Sequence, residues 1–338
     1  MPDPATHLSA LLEALLGSHR ASNLLDSIDI HPDLRKASGD HVSRAVLAMA
    51  MNVMLLEDVQ RRVPWAEAYV RDQVQAGRRL VFDHGALRTV AVPSGALPQG
   101  QLAITRFLEP LGYAVNGIYP LDQLAMTGRA YAHLDFPEAI PQFFLSELHA
   151  TSFSAPFQAA VSRVLGTSRD PLPEWTSPLL EQLRTQGALP FAEALRLLPN
   201  LVACFDRQHE PPSLADYETL LAESAEMAWI ATEGSAFNHA TDRVDDVVAT
   251  AHAQKKCQRP MKDEVEVSGS GRVLQTAFRA AEVERPFRSA EGSLVLRRVP
   301  GSFFEFITRK HEPTGKLDLR FDASNAQAIF KMTAAGSR

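Results

Sequence analysis

Hydrophobic and polar positions in the first eighty residues repeat with a helical period. Segment 7–16 places leucines at the i, i+3, i+4 spacing of an amphipathic helix. A second helix is predicted over 41–61, and a third over 65–75 would end at Gly77. We therefore expect residues 1–78 to form a helical cap on a larger core.

From residue 79 the pattern changes to the alternation of β-strands. The predicted order is strand, helix and three strands, with the elements at 79–84 continuing at 89–92, then 101–111, 113–121, 129–136 and 142–148. Such a β-α-β-β-β order favours a curved, cup-shaped sheet packed by one helix over an alternating parallel α/β fold. We assign residues 79–150 to this first β part.

The rest of the chain repeats this change from helix to strand. Residues 151–233 read as a helical insertion interrupted by prolines, and 234–330 as a second β part. Its strands are predicted at 236–240, 273–280, 294–298, 303–309 and 316–321. The prediction is a single large α+β domain with a helical cap, a helical insertion and a cup-shaped sheet.

The amino-acid composition limits the partners and the metal ligands that we expect for this protein. The chain has 338 residues with 34 basic and 40 acidic side chains, a net charge of −6, which argues against a nucleic-acid partner. Two cysteines, Cys204 and Cys257, match no CxxC spacing, so a metal would need histidine and carboxylate ligands. No signal peptide or membrane-spanning run is evident, so we expect a cytoplasmic protein without a membrane partner. Phosphate-loop, dinucleotide, nucleophile-elbow and zincin motifs are absent from the sequence.

The first segment with candidate chemistry lies at the start of the first β part. Strand alternation would place Phe82, His84, Ala86 and Arg88 on one face. Gly85 beside the histidine would let a ligand approach closely, and the arginine would address the ligand's far end. The alternative is a satisfied buried histidine with a surface arginine.

Two further segments lie in the second β part. Alternation would place Phe237, His239, Thr241 and Arg243 on one face, and the alternative is an ordinary polar strand end. Glu305 interrupts a run of aromatic and aliphatic residues. A carboxylate buried there needs a partner, and either a metal ion or an arginine would serve.

Two histidines and one carboxylate on separate strands are the ligand set of non-haem Fe(II) centres. His84, His239 and Glu305 are the candidate set. Their separation along the chain is compatible with one cup but does not establish that they meet. His133 and His149 lie near predicted strands and compete for the same role.

At these residues the sequence resembles the 2-oxoadipate dioxygenase/decarboxylase family, also called 2-hydroxyglutarate synthases. The resemblance covers roughly residues 80 to 310. The similar segments are Asp83-His84-Gly85-Ala86-Leu87-Arg88-Thr89, Ile140-Pro141-Gln142-Phe143-Phe144-Leu145-Ser146-Glu147-Leu148, Asn238-His239-Ala240-Thr241 and Gly301-Ser302-Phe303-Phe304-Glu305-Phe306.

The resemblance implies a fold related to the vicinal-oxygen-chelate superfamily and an Fe(II) centre held by His84, His239 and Glu305. It implies that Arg88 binds the distal carboxylate of the substrate, with no catalytic side chain beyond the metal ligands. The implied reaction converts 2-oxoadipate and O2 to 2-hydroxyglutarate and CO2. Four residues of extended strand span about 13 Å, so an arginine leaning back toward the metal could grip a six-carbon diacid.

Other roles and other functions stay open. Asp83 and Glu147 could orient metal-bound histidines or form ordinary salt bridges, and Arg243 is a second candidate for the substrate clamp. The same cup would suit a different 2-oxo acid, an extradiol dioxygenase or an isomerase. A non-catalytic acid-binding protein would be favoured if Glu305 paired with Arg88. The sequence does not indicate the oligomeric state.

Overall fold

A curled eight-stranded sheet dominates the computed structural model, which describes residues 6–36, 39–269 and 271–322. The helices in these ranges are α1 His7–Leu16, α2 Ser18–Ser27, α3 Arg44–Arg62, α4 Pro64–Gln75, α5 Leu102–Leu108, α6 Ala155–Leu165, α7 Thr176–Gln186, α8 Phe191–Ala203, α9 Leu214–Glu223, α10 Ala225–Glu233 and α11 Val247–Lys256. The strands are β1 His41–Ser43, β2 Phe82–Val90, β3 Tyr113–Leu121, β4 Met126–His133, β5 Gln142–Leu148, β6 Ala188–Pro190, β7 His239–Arg243, β8 Glu266–Val267, β9 Val273–Ala277, β10 Glu282–Arg288, β11 Leu294–Pro300 and β12 Phe303–Arg309.

The large sheet consists of two halves with the same connectivity. Its strand order is β3-β4-β5-β2-β7-β12-β9-β8. In each half a strand and a helix are followed by three strands of this sheet, and the first strand pairs in parallel with the last; in the second half the β10–β11 hairpin is inserted before the last strand. The halves join where β2 and β7 pair antiparallel, with Gly85 opposite Ala240. A local two-fold axis through that pair relates His84 to His239 and Phe144 to Glu305, as the strand registers show.

The two faces of the sheet have different roles. Helices α1–α4, α7 and α8 share a hydrophobic core with Leu87, Phe143 and Phe304, which point away from His84. The N-terminal helices therefore cover the sheet's outer face. Helices α6, α9 and α10 pack around a second cluster at the ends of β2 and β5, which includes Val90 and Leu148. The inner face, toward which His84 points, is not covered by these helices and carries the candidate site.

The α+β class and the cup-shaped sheet predicted from the sequence are confirmed, but several elements differ. The predicted strand 316–321 is wrong, because the segment has irregular backbone with one isolated bridge at Leu317. The hairpin partner β10 was missed, since Pro286 argues against an interior strand and is accommodated in a two-stranded hairpin outside the main sheet. Strand β7 begins three residues later than the predicted strand at 236–240.

Part of the predicted second β part, residues 323–330, lies outside the described ranges. Within those ranges, none of the helices combines the length and apolarity needed to cross a bilayer.

Candidate metal centre

Three buried side chains meet on the inner face, one from each of β2, β7 and β12. The Nε2 atoms of His84 and His239 lie 3.4 Å apart, and each lies 3.4 or 3.3 Å from Glu305 Oε2. Each residue is at most 5% exposed. The strand pairing explains the convergence, because β7 lies between β2 and β12 and contributes the middle ligand.

An irregularity in strand β2 determines that the side chain of His84 points into the cup formed by the sheet. The pairing of β2 with β7 shifts register between Phe82 and His84. Consequently Phe82 packs in the outer core with Leu87, while His84 faces the inner cavity. The predicted alternation was wrong at this position, since a bulge breaks the two-residue period.

The same correction applies at the start of β7. Phe237 precedes the strand and packs in the outer core, opposite to His239. Within the strand the alternation holds, because Thr241 shares the inner face with His239 and donates a 2.7 Å hydrogen bond to Glu305 Oε2.

Asp83 fixes the orientation of His84. The Nδ1 atom of His84 lies 2.8 Å from Asp83 Oδ1, so the ring donates there and presents Nε2 to the other two ligands. Arg309 binds the same carboxylate, with its Nη2 atom 2.8 Å from Asp83 Oδ1. Burial opposes ionisation of Asp83, but Arg309 and His84 outweigh burial and hold the pKa of this carboxyl well below its usual range.

Of the three converging side chains, Glu305 supplies the buried negative charge, and the two histidines differ in their protonation. Burial disfavours the charged form of Glu305, yet the two histidines outweigh it and lower the pKa of the carboxyl. For His84, burial is outweighed by the hydrogen bonds with Asp83 and Glu305, and its pKa is raised. Burial lowers the pKa of His239, which favours the neutral, ligating form of this imidazole.

The donor atoms fit a bound metal ion. With metal–ligand bonds of about 2.1 Å, ligand atoms lie about 3.0 Å apart in octahedral and about 3.4 Å apart in tetrahedral sites. The observed spacings of 3.3–3.4 Å fall in this range. In addition, the buried Oε1 of Glu305 has no hydrogen-bond partner among the described residues. Unpaired buried oxygen is costly, and coordination by a cation would satisfy it.

The three residues line a cavity of about 470 Å³. Its wall is mixed, with aromatic and aliphatic side chains and a few polar groups. The remaining lining residues are Ala86, Phe144, Ser146, Asn238, Val273, Gln275, Phe321 and Asp322.

Arg88 lies beyond this cavity on the same strand. Its side chain is fully buried, and its guanidinium lies 4.9 Å from the centre of the Trp229 ring. It lines a neighbouring cavity of about 420 Å³. Burial lowers its pKa to about 10, partly offset by Glu226, so the arginine remains cationic at neutral pH. Its charge also lowers the pKa of His239, although burial is the larger cause.

Other predicted residues are placed apart from the three donors. Glu147 accepts from the Gln101 backbone N–H and pairs with Arg129, as an ordinary structural carboxylate does. Arg243 lies 3.6 Å from Asp83, at the edge of the site.

The competing histidines are occupied elsewhere. His133 is hydrogen-bonded to the Leu111 carbonyl, and His149 to the Thr127 hydroxyl. Among the described residues, the group that could hold a metal is His84, His239 and Glu305.

Gly85 serves packing rather than ligand access. A Cβ atom added at Gly85 would lie 2.2 Å from the ring of Phe237, on the outer face. The expectation that this glycine opens space for a ligand was therefore wrong.

Sequence reasoning also missed Arg309 and Phe321, which surround His84. Arg309 follows Glu305 by four positions, so strand alternation alone would have placed it on the inner face.

The paired β-α-β-β-β halves, with a His–His–Glu group at their junction, define the chain as a protein of the glyoxalase, or vicinal-oxygen-chelate, type. In agreement, the structure matches a solved glyoxalase superfamily protein from Ralstonia eutropha JMP134 with a TM-score of 0.90 and 54% identity, covering 94% of this chain and 98% of the other. The model of the 2-oxoadipate dioxygenase/decarboxylase family matches residues 43–335, and the chain belongs to that family.

Two relatives give further context. The chloroplastic 2-oxoadipate dioxygenase/decarboxylase of Arabidopsis thaliana is 25% identical, over 74% of this chain and 76% of the plant protein. The hydroxyglutarate synthase of Oryza sativa, solved with 2-oxoadipate, has a TM-score of 0.66 at 19% identity, covering 88% of this chain and 96% of the rice chain. The rice structure supports the fold.

Proposed function

We propose that this protein is an Fe(II)-dependent enzyme that converts a 2-oxo diacid, 2-oxoadipate, and O2 to 2-hydroxyglutarate and CO2. The observation that carries the proposal is the buried group of His84, His239 and Glu305, whose donor atoms converge on the inner cavity. Family membership supports the reaction class, and the rice and Pseudomonas putida hydroxyglutarate synthases were both solved with 2-oxoadipate.

The reaction balances without a second organic co-substrate. One oxygen atom of O2 enters the new carboxylate formed when the 2-oxo carbon loses CO2, and the other becomes the hydroxyl on the adjacent carbon. Bound Fe(II) would supply open coordination positions for the 2-oxo acid and O2, and the electrons that activate O2.

The chain's own residues supply binding and orientation. His84, His239 and Glu305 would hold the metal, and Asp83 keeps His84 in the ligating tautomer. The Thr241 hydroxyl donates to Glu305 Oε2 and so restricts its rotation. The apolar part of the cavity wall limits water around the reacting carbons.

Arg88 is the proposed partner of the distal carboxylate. It is a buried cation on the strand of His84, two residues beyond Ala86, which lines the cavity of the proposed metal centre. Its guanidinium lies over the Trp229 ring in a cation–π contact. The planar fork of an arginine suits a bidentate contact with a carboxylate. The ion-pair partners of Glu305 in the described chain are the two histidines, which speaks against the alternative of an Arg88–Glu305 salt bridge.

The deciding experiment is anaerobic loading with Fe(II), followed by O2-uptake assays on a panel of 2-oxo acids. We expect uptake with 2-oxoadipate, with one CO2 and one 2-hydroxyglutarate per O2 consumed. Uptake that no 2-oxo acid stimulates would refute the proposal. O2 uptake with monoacids alone would support metal-dependent oxidation of 2-oxo acids and exclude a diacid as the substrate.

Substituting His239→Ala tests the ligand set. We expect loss of both metal binding and turnover, because His239 supplies one of three donor atoms. His252→Ala, at an exposed position on α11, is the matched control and should behave as the parent. Metal content by elemental analysis is the measurement, and stoichiometric iron in the His239→Ala protein would contradict the assignment.

A further inference from the structure

The segment 317–322, here called the strap, crosses the inner cavity from one half of the sheet to the other. At one end the Asp318 backbone N–H donates to the Lys310 carbonyl just after β12. At the other, the Phe321 backbone N–H donates to Tyr119 Oη on β3 at 2.9 Å. In between, Gln142 Nε2 donates to the Leu319 carbonyl at 3.2 Å. The strap therefore bridges both halves over the proposed metal centre.

Phe321 places its ring directly against His84. The ring centroids lie 4.8 Å apart with an interplanar angle of 87°, an edge-to-face contact. Phe144 supports the phenyl ring at 4.9 Å. Because Asp83 holds the Nδ1 side of the imidazole and Phe321 packs against the ring, together they restrict the direction in which Nε2 points.

Arg309 connects the strap to the same histidine. Its Nε and Nη2 donate to Asp83, while Nη1 donates to the carbonyls of Asp318 and Arg320 at 3.2 and 2.8 Å. Its guanidinium carbon lies 4.7 Å from the centre of the Phe321 ring. The side chains of Arg309 and Asp83 are 0% and 1% exposed. One buried guanidinium thus binds both the strap and the carboxylate that orients His84.

We propose that Phe321 and Arg309 are positioning residues of the metal centre, and that docking of the strap is coupled to the orientation of His84 through Arg309. The proposal rests on the proposed function only in taking His84 as a metal ligand. It differs from simple packing. Asp83 contacts His84, Arg309 and Arg243, so a change at Asp83 would reach the strap through Arg309.

The first test measures Co(II) affinity by competition with a chelator, and the visible spectrum of the Co(II) protein, in the absence of any 2-oxo acid. We expect Phe321→Ala to weaken Co(II) binding about 10-fold, within the range for residues that orient ligands, and to change the spectrum. Phe321→Tyr retains the ring and should restore both. Tyr119→Phe removes only the acceptor at the far end of the strap and should weaken binding by a smaller factor.

The second test follows hydrogen exchange of strap amides in the metal-free protein. We expect Asp83→Asn to accelerate exchange at Asp318 and Phe321, because Arg309 loses its anionic partner. Arg309→Lys, which keeps the charge but not the branched donor geometry, should act in the same direction if Asp83→Asn does not fold. Lys316→Ala, exposed and just outside the strap, is the control.

Each outcome separates the two proposals. Parent-like Co(II) affinity and spectrum in folded Phe321→Ala, or parent-like strap exchange in folded Asp83→Asn and Arg309→Lys, would overturn the coupling even in an active enzyme. If the parent protein bound no Co(II), the proposal of a metal centre would be wrong. The exchange measurement would still decide whether Asp83 and the strap are coupled through Arg309. An enzyme inactive on 2-oxo acids that shows both effects would refute the reaction and retain the positioning role.

Discussion

The two histidines of the proposed centre are held in different ways. His84 is fixed by a hydrogen bond to Asp83 and by the Phe321 ring. Within the part of the chain that the structure describes, the buried Nδ1 of His239 has no hydrogen-bond partner, and its ring packs at 4.7 Å on Phe303. We therefore expect His84 to be the preorganised ligand, and His239 to depend more on the metal for its orientation.

The proposed contact between Arg88 and the distal carboxylate leads to a prediction about substrate specificity. The Arg88→Ala enzyme should lose about 10- to 100-fold in kcat/KM for 2-oxoadipate, the equivalent of charge-assisted hydrogen bonds of about 1.5–3 kcal/mol. Because 2-oxohexanoate has the same carbon chain without the distal carboxylate, its kcat/KM should change little. Steady-state kinetics on this pair of substrates is the measurement.

The Arg88→Lys enzyme is the informative companion variant. It keeps the charge but loses the planar fork and its contact with the Trp229 ring, so it should fall between the parent and Arg88→Ala. Equal losses on the diacid and the monoacid would show that Arg88 supports the fold of the site rather than the distal carboxylate.

Among the elements, strand β2 carries the most constraints. All nine of its residues are buried, with the inner cavity on one side of the strand and the helical core on the other. The bulge near Phe82 sets which residues face inward, and Gly85 accommodates Phe237 from the outer side. The strand therefore tolerates little change in side-chain volume.

Gly85→Ala should destabilise the fold by about 1–3 kcal/mol, the usual cost of overpacking, since the new methyl group would overlap the Phe237 ring. In a Phe237→Leu background the same substitution should cost less, because the overlapping ring atoms are gone. Urea unfolding of the four proteins in this cycle is the measurement. Strictly additive free energies would exclude the contact as the cause.

Much of the element map could be predicted because the signals are local. The helix at His7–Leu16 and the strands Tyr113–Leu121, Gln142–Leu148 and Phe303–Arg309 have the bounds that periodicity predicts. The three proposed ligands were selected by residue type and family resemblance. The bulge in β2 and the irregular strap were not predictable in this way, because both depend on contacts between segments more than 150 residues apart.

Across the whole molecule, buried imidazoles outside the metal centre set an acid limit on stability. His133 and His209 are buried and hydrogen-bonded to backbone carbonyls. Burial lowers the pKa of each to about 4, against an ordinary value near 6.5. Between these values the unfolded chain binds more protons than the folded chain, so the free energy of unfolding decreases as the pH falls.

We expect each of these histidines to remove about 2 kcal/mol of stability between pH 7 and pH 5. His209→Gln, whose amide can still donate to the Ala231 carbonyl, should show a smaller loss over this interval than the parent. Urea unfolding at the two pH values, with chelator present to exclude metal effects, is the measurement. His252→Ala is the control, and the same pH dependence in all three proteins would argue against the assignment.

The order of the proposed ligands along the chain has a consequence for biosynthesis. The ribosome makes His84 about 150 residues before His239, and Glu305 last, with the strap immediately behind it. A nascent chain that ends before residue 239 therefore carries only one of the three donors. Because metal capture requires the folded arrangement, we expect metal loading of the proposed centre to follow synthesis of both halves of the sheet. A pulse of metal during translation should then label full-length chains and not the shorter nascent ones.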